Sequence, residues 1–108
     1  MILPPIPDSV PSPLGPVPVV FVKNLHTKGP ERADALGYFD YTNRLIEIEE
    51  DAALCVQWHT YYHEACHVAC WDAGLQNAFT EEQIEIVCDV TACQRVAELL
   101  THCALPHT

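Results

Sequence analysis

The chain has 108 residues, 49% of them hydrophobic, which is room for one small globular domain. Fifteen Asp and Glu against five Lys and Arg give a formal charge of −10, a field that repels phosphate backbones and argues against nonspecific nucleic-acid binding. No stretch approaches the roughly 20 apolar residues of a membrane span. The start, Met1-Ile2-Leu3-Pro4-Pro5, has neither a basic n-region nor an unbroken apolar run, so a soluble cytoplasmic protein with reduced thiols is expected.

Seven of the nine prolines lie within residues 4–18, so residues 1–16 read as an extended proline-rich arm ahead of a folded domain at 17–108. The preferred reading of the arm is a loose tail. The alternative is a segment that covers apolar surface through Ile2, Leu3, Ile6 and Val10. Val17-Pro18-Val19-Val20-Phe21-Val22-Lys23 is β-branched and reads as a first strand. Residues 24–36 read as a loop with one helical turn at Glu31–Ala35. Gly37–Tyr41 and Arg44–Glu49 form a predicted hairpin around Thr42-Asn43, with Ile46 and Ile48 on the dry face and Glu47 and Glu49 on the wet one.

The next element is a helix starting between Asp51 and Gln57 and ending near Asp72, with Gly74 as its stop. It is apolar nearly all round (Val56, Trp58, Ala65, Val68, Ala69, Trp71) and is expected to be central and buried. It carries His63-Glu64-Ala65-Cys66-His67, an H-E-x-x-H pattern. Residues four apart share a helical face, so His63 and His67 can offer two ring nitrogens to one tetrahedral Zn²⁺. Glu64 lies roughly 100° round the helix, placed to act on water without being a ligand. His59, one turn earlier, is expected to be a satisfied or surface histidine.

Thr80 and Gln83 form a capping box, flanked by Phe79 and Ile84 as a hydrophobic staple, and open a second helix. Its apolar or small positions are Ile84, Val87, Cys88, Thr91, Ala92, Val96, Leu99, Leu100 and Cys103, with Pro106 just past its end. Glu81 and Glu82 lie in the first turn, where the helix dipole accounts for them. Glu85 falls roughly 40° from the centre of the apolar stripe, where an ionised carboxylate is costly unless paired or metal-bound. It is the candidate third ligand. The six cysteines are expected to act mainly as small packing residues, and Cys66, Cys70 and Cys88 could alternatively form a thiolate metal site or redox switch.

H-E-x-x-H followed, after a loop, by Glu85-x-x-x-Asp89 resembles the gluzincin zinc metallopeptidases. The hairpin just before the motif helix is similar to the layout of small ImmA/IrrE-type members, including phage-type ones. The resemblance covers roughly residues 36–100 and is specific at His63, Glu64, His67 and Glu85. It implies that Glu85 is the third ligand and that Asp89 braces a ligand histidine. The proline-rich arm stands where that family has a leading helix.

The expected fold is therefore α+β, a small, mainly antiparallel three-stranded sheet on two helices with Zn²⁺ between them. The expected function is hydrolysis of a polypeptide, cationic or flexible in view of the charge, with Glu64 as catalytic base. Tyr38, His59, Tyr62 and Arg95 are the candidate oxyanion stabilisers. The rival is a non-catalytic, zinc-stabilised protein-binding module.

Overall fold

Ile46 and Ile48 alternate with Glu47 and Glu49, and both isoleucines are fully buried while the glutamates are half-buried. In the computed structural model, which describes residues 2–33 and 35–104, their strand (β4, Leu45–Glu49) is central. β3 (Gly37–Asp40) pairs with it antiparallel, Tyr38 opposite Glu47, as the predicted hairpin. Asp40 Oδ1 closes the turn by accepting the backbone N–H groups of Thr42 (3.2 Å) and Asn43 (3.1 Å).

β2 (Val17–Val22) lies on the other side of β4 and runs parallel to it, Val19 opposite Ile46. β1 (Ser9–Val10) pairs antiparallel with β2, giving a four-stranded mixed sheet in the order β1-β2-β4-β3. The α+β class is as expected, but the mainly antiparallel three-stranded sheet is corrected on two counts. Residues 24–36 carry the chain past β4, so β3 enters beyond it and β4 returns alongside β2 in the same direction. Fully buried Leu25 anchors this connection, its N–H donating to Glu49 Oε1 (3.1 Å). Arg32 Nε also donates to Glu47 Oε1 (2.7 Å), with the guanidinium 4.0 Å over the Tyr38 ring. The helical turn expected at Glu31–Ala35 is a 3₁₀ turn at Pro30–Arg32.

The second correction is the arm, which docks instead of trailing. The Trp58 indole N–H donates to the Pro4 carbonyl (2.8 Å), and the Tyr61 hydroxyl donates to the Ser9 carbonyl (3.1 Å). Val10 is buried, with Leu3 and Ile6 packed against the same core. The reason is polar satisfaction: an indole and a phenol at the edge of a small core need acceptors, and the arm's carbonyls supply them. Ser12 Oγ donates to Asp72 Oδ2 (2.6 Å), and Arg44 donates to both Asp72 oxygens (2.8 and 3.0 Å). Arm, hairpin and helix end are thus joined at one carboxylate.

The motif helix (α1, Leu54–Asp72) stops at Gly74, whose φ is 76°, as the sequence predicts. It covers the sheet through Trp58, Tyr61 and Val68. It is less enclosed than expected, since Ala69 and Trp71 are exposed and Trp71 stacks on Tyr41 at 4.5 Å. The second helix (α2, Glu81–Ala104) begins with the predicted capping box: Gln83 N–H donates to Thr80 Oγ1 (3.1 Å), and Thr80 N–H to Gln83 Oε1 (2.9 Å). It packs along α1, burying Cys88 and Ala92, while Val87 of the predicted stripe is exposed. The stop expected at Pro106 lies outside the described residues.

Candidate metal centre

His63 and His67 lie one turn apart on α1 and aim their Nε2 atoms at one point, 3.2 Å apart. Glu85 of α2 reaches the same point, its Oε2 lying 3.2 Å from His63 Nε2 and its Oε1 2.5 Å from His67 Nε2. The three side chains are positioned to hold a metal ion. Asp89, one turn along α2 from Glu85, lies with Oδ1 2.9 Å from His63 Nδ1. A carboxylate only accepts, so the Asp89 contact calls for a proton on His63 Nδ1 and fixes the orientation of that ring. Burial holds the His67 imidazole below its usual range, with the Glu85 carboxylate opposing, which favours the neutral ring.

Glu85 is less buried than its helical phase suggests. Its side chain is 49% exposed and that of Asp89 62%, because α2 meets only one flank of α1 and leaves these carboxylates at the open rim of the seam. Glu81 and Glu82 lie in the first turn of α2 and are exposed, consistent with helix-end charges.

Glu64 is turned the other way, into the contact between α1 and β3, and is only 7% exposed. Burial pushes its carboxyl up to about 7, while the neighbouring His63 ring and a hydrogen bond from the Phe39 backbone N–H pull in the other direction. A group poised there can both accept and return a proton near neutral pH. Gly37 makes this close approach possible: a Cβ at that position would lie 2.1 Å from Thr60 Cγ2 and 3.4 Å from Glu64 Cγ. Neither Gly37 nor the Phe39 N–H was among the predicted site residues. The only local signal is a glycine at the first position of a predicted strand.

The centre sits between two clefts. One, of about 750 Å³, is lined by Leu36, His59, Thr60, His63, Glu64 and Glu85. The other, of about 470 Å³, is lined by Tyr38, His67, Trp71, Phe79, Ile84 and Glu85. Of the four candidate oxyanion stabilisers, Tyr38 and His59 thus line the clefts. Tyr62 instead packs on the core beside Trp58, and Arg95 lies exposed on α2, 4.0 Å from Glu98. His59 Nε2 is 3.6 Å from the Cys93 thiol and takes no part in the three-residue group.

A second group, Cys66, Cys70 and Cys88, also converges in the α1–α2 seam, all three sulfurs lying within 4.8 Å of one another. Burial pushes the Cys88 and Cys70 thiols up. No helix among the described residues is long and apolar enough to cross a membrane. Comparison of the chain with protein-family models, curated proteins and solved structures gives no match.

Proposed function

We propose that the chain is a zinc-dependent metallopeptidase of the gluzincin kind, resembling the small ImmA/IrrE-type enzymes. His63, His67 and Glu85 would hold the metal, Asp89 would orient His63, and Glu64 would be the catalytic base. The observation that carries the reading is the convergence of two imidazole Nε2 atoms and one carboxylate beside a separate, buried carboxylate. The spacing of the two ring nitrogens suits the metal: bonds of about 2.1 Å in a tetrahedron set ligand atoms about 3.4 Å apart. The two Nε2 atoms are 3.2 Å apart, and two nitrogens with one carboxylate are a familiar zinc donor set. Zinc supplies a Lewis acid that polarises a carbonyl and acidifies water.

The chain's own residues do the rest. Glu64 takes the proton of the attacking water and returns it to the leaving amine. Asp89 keeps the His63 lone pair directed at the metal position. Among the described residues β3 pairs with a strand on one side only, so an extended polypeptide can add along its outer edge and cross the centre from one cleft to the other. The charge of −10 suits a cationic or flexible polypeptide, and six unpaired thiols suit a reducing, cytoplasmic setting.

The test is cleavage of a peptide library by the zinc-loaded protein, read by mass spectrometry, beside Glu64→Gln. The variant should keep its zinc and its fold and lose cleavage, because an amide cannot accept the water's proton. If wild type and variant behave alike, the peptidase reading is wrong and a zinc-stabilised binding module using the same ligands takes its place.

A further inference from the structure

We infer that Cys66, Cys70 and Cys88 form a second metal site, separate from the histidine centre and specific for a soft monovalent ion, with Cu(I) as its best match. Cys66 and Cys70 are one turn apart on α1, and Cys88 meets them from α2. A three-coordinate ion with metal–sulfur bonds of about 2.3 Å needs its sulfurs about 4 Å apart. The three sulfurs lie within 4.8 Å of one another, so small rotamer changes close the site.

Donor type and number choose the ion. Thiolates favour Cu(I), zinc and iron–sulfur clusters over hard cations. Structural zinc takes four ligands, and among the described residues no fourth His, Cys, Asp or Glu joins these three. Cys88 is 0% and Cys70 6% exposed, so a water as fourth ligand would have to come from the cleft side. Cu(I) is stable with three sulfur ligands and needs neither. The thiol protons leave to solvent as the ion binds, and the copper keeps its oxidation state. Cys70 also lines the cleft beside His67, which gives the ion a path in. Packing alone asks only for small side chains in the seam, and alanine would serve. Three thiols meeting there are a donor set that packing does not require.

The experiment is anaerobic titration of the full chain with Cu(I) against a chromophoric Cu(I) chelator, with and without one equivalent of zinc. X-ray absorption at the copper edge identifies the ligands. The expected result is one tightly held Cu(I) per chain, sulfur neighbours only, and zinc retained where it was added. Cys55→Ser/Cys93→Ser/Cys103→Ser, which removes the other thiols, should keep the affinity. Cys88→Ala and the half-buried Cys66→Ser should each lower it on the order of 100-fold, with an unchanged near-ultraviolet circular dichroism spectrum as the check on folding. Nitrogen neighbours, displacement of zinc, or full affinity in either folded cysteine variant would overturn the inference. So would a site that takes zinc in preference to Cu(I). The titration without zinc does not need the histidine centre, so that arm stands or falls apart from the peptidase reading.

Discussion

The contact between Gly37 and Thr60 can be tested as a double-mutant cycle. Adding a methyl at residue 37 places it 2.1 Å from Thr60 Cγ2, well inside a carbon–carbon contact of roughly 3.5–4.0 Å. Thr60 cannot simply rotate away, because its hydroxyl donates to the Val56 carbonyl at 2.9 Å and the side chain is buried. Gly37→Ala must therefore push β3 off α1, an overpacking cost of about 1–3 kcal/mol. The reduced entropy of the unfolded chain offsets about 0.4–1 kcal/mol of that. Thr60→Ser keeps the hydroxyl and removes the offending methyl, at about 1 kcal/mol for one buried carbon. In the double variant the new methyl fills the vacated space, and its nearest remaining neighbours are Glu47 O at 3.3 Å and Glu64 Cγ at 3.4 Å. The two changes should therefore couple favourably by about 1–3 kcal/mol, with the unfolded-state term cancelling. Urea unfolding of the four metal-free proteins measures this. A double variant as unstable as the sum of the singles would refute the close approach of β3 to α1. In peptide-cleavage assays, Gly37→Ala should lower turnover more than zinc content, because it moves the Phe39 N–H away from Glu64.

Zinc competition against a chromophoric chelator should rank the carboxylates of α2. Glu85→Ala should lose binding severely, Asp89→Ala should lose about 10–100-fold, and Glu82→Ala should lose almost nothing. A damaging Glu82→Ala with a silent Glu85→Ala would reject the ligand set. Hydrogen bonds from Arg44 and then Ser12 hold the Asp72 carboxyl below its ordinary value of 3.8. Its stabilisation is therefore complete above that value and is lost as pH falls through the lower folded one. Asp72→Asn should accordingly flatten the drop in urea midpoint as pH falls below about 4, while lowering the midpoint at neutral pH. Deleting residues 1–10 should cost about 2–5 kcal/mol, from the exposure of Val10 and the loss of acceptors for Trp58 and Tyr61. An unchanged tryptophan emission maximum and urea midpoint would count against the docked arm.

Local chemistry was the part of the structure open to reading from sequence. Thr80-x-x-Gln83, the hairpin around Thr42-Asn43 and the stop at Gly74 depend on neighbours in the chain, and each is where the residues put it. His63, His67, Glu85 and Asp89 came together because helical spacing places each pair on one face, leaving only the packing of two helices to supply. The parallel pairing of β2 with β4 has no local signature, since a β-branched run is equally content beside either neighbour. The two-residue strand in the arm was invisible for the same reason, and its docking depends on an indole and a phenol more than forty residues away. Glu85 was placed correctly round its helix but assigned too much burial, because the wheel shows phase and not how far a partner helix extends.

The bonds from Trp58 to Pro4 and from Tyr61 to Ser9 span 54 and 52 residues. During synthesis the arm emerges before its partners, which do not exist until some fifty residues later. The hairpin and α1 can form from nearby contacts, whereas seating the arm must close a long loop and carries the entropy cost of doing so. The arm is therefore expected to be the last segment to join the fold and the first to leave it, with its protection from hydrogen exchange well below that of β4.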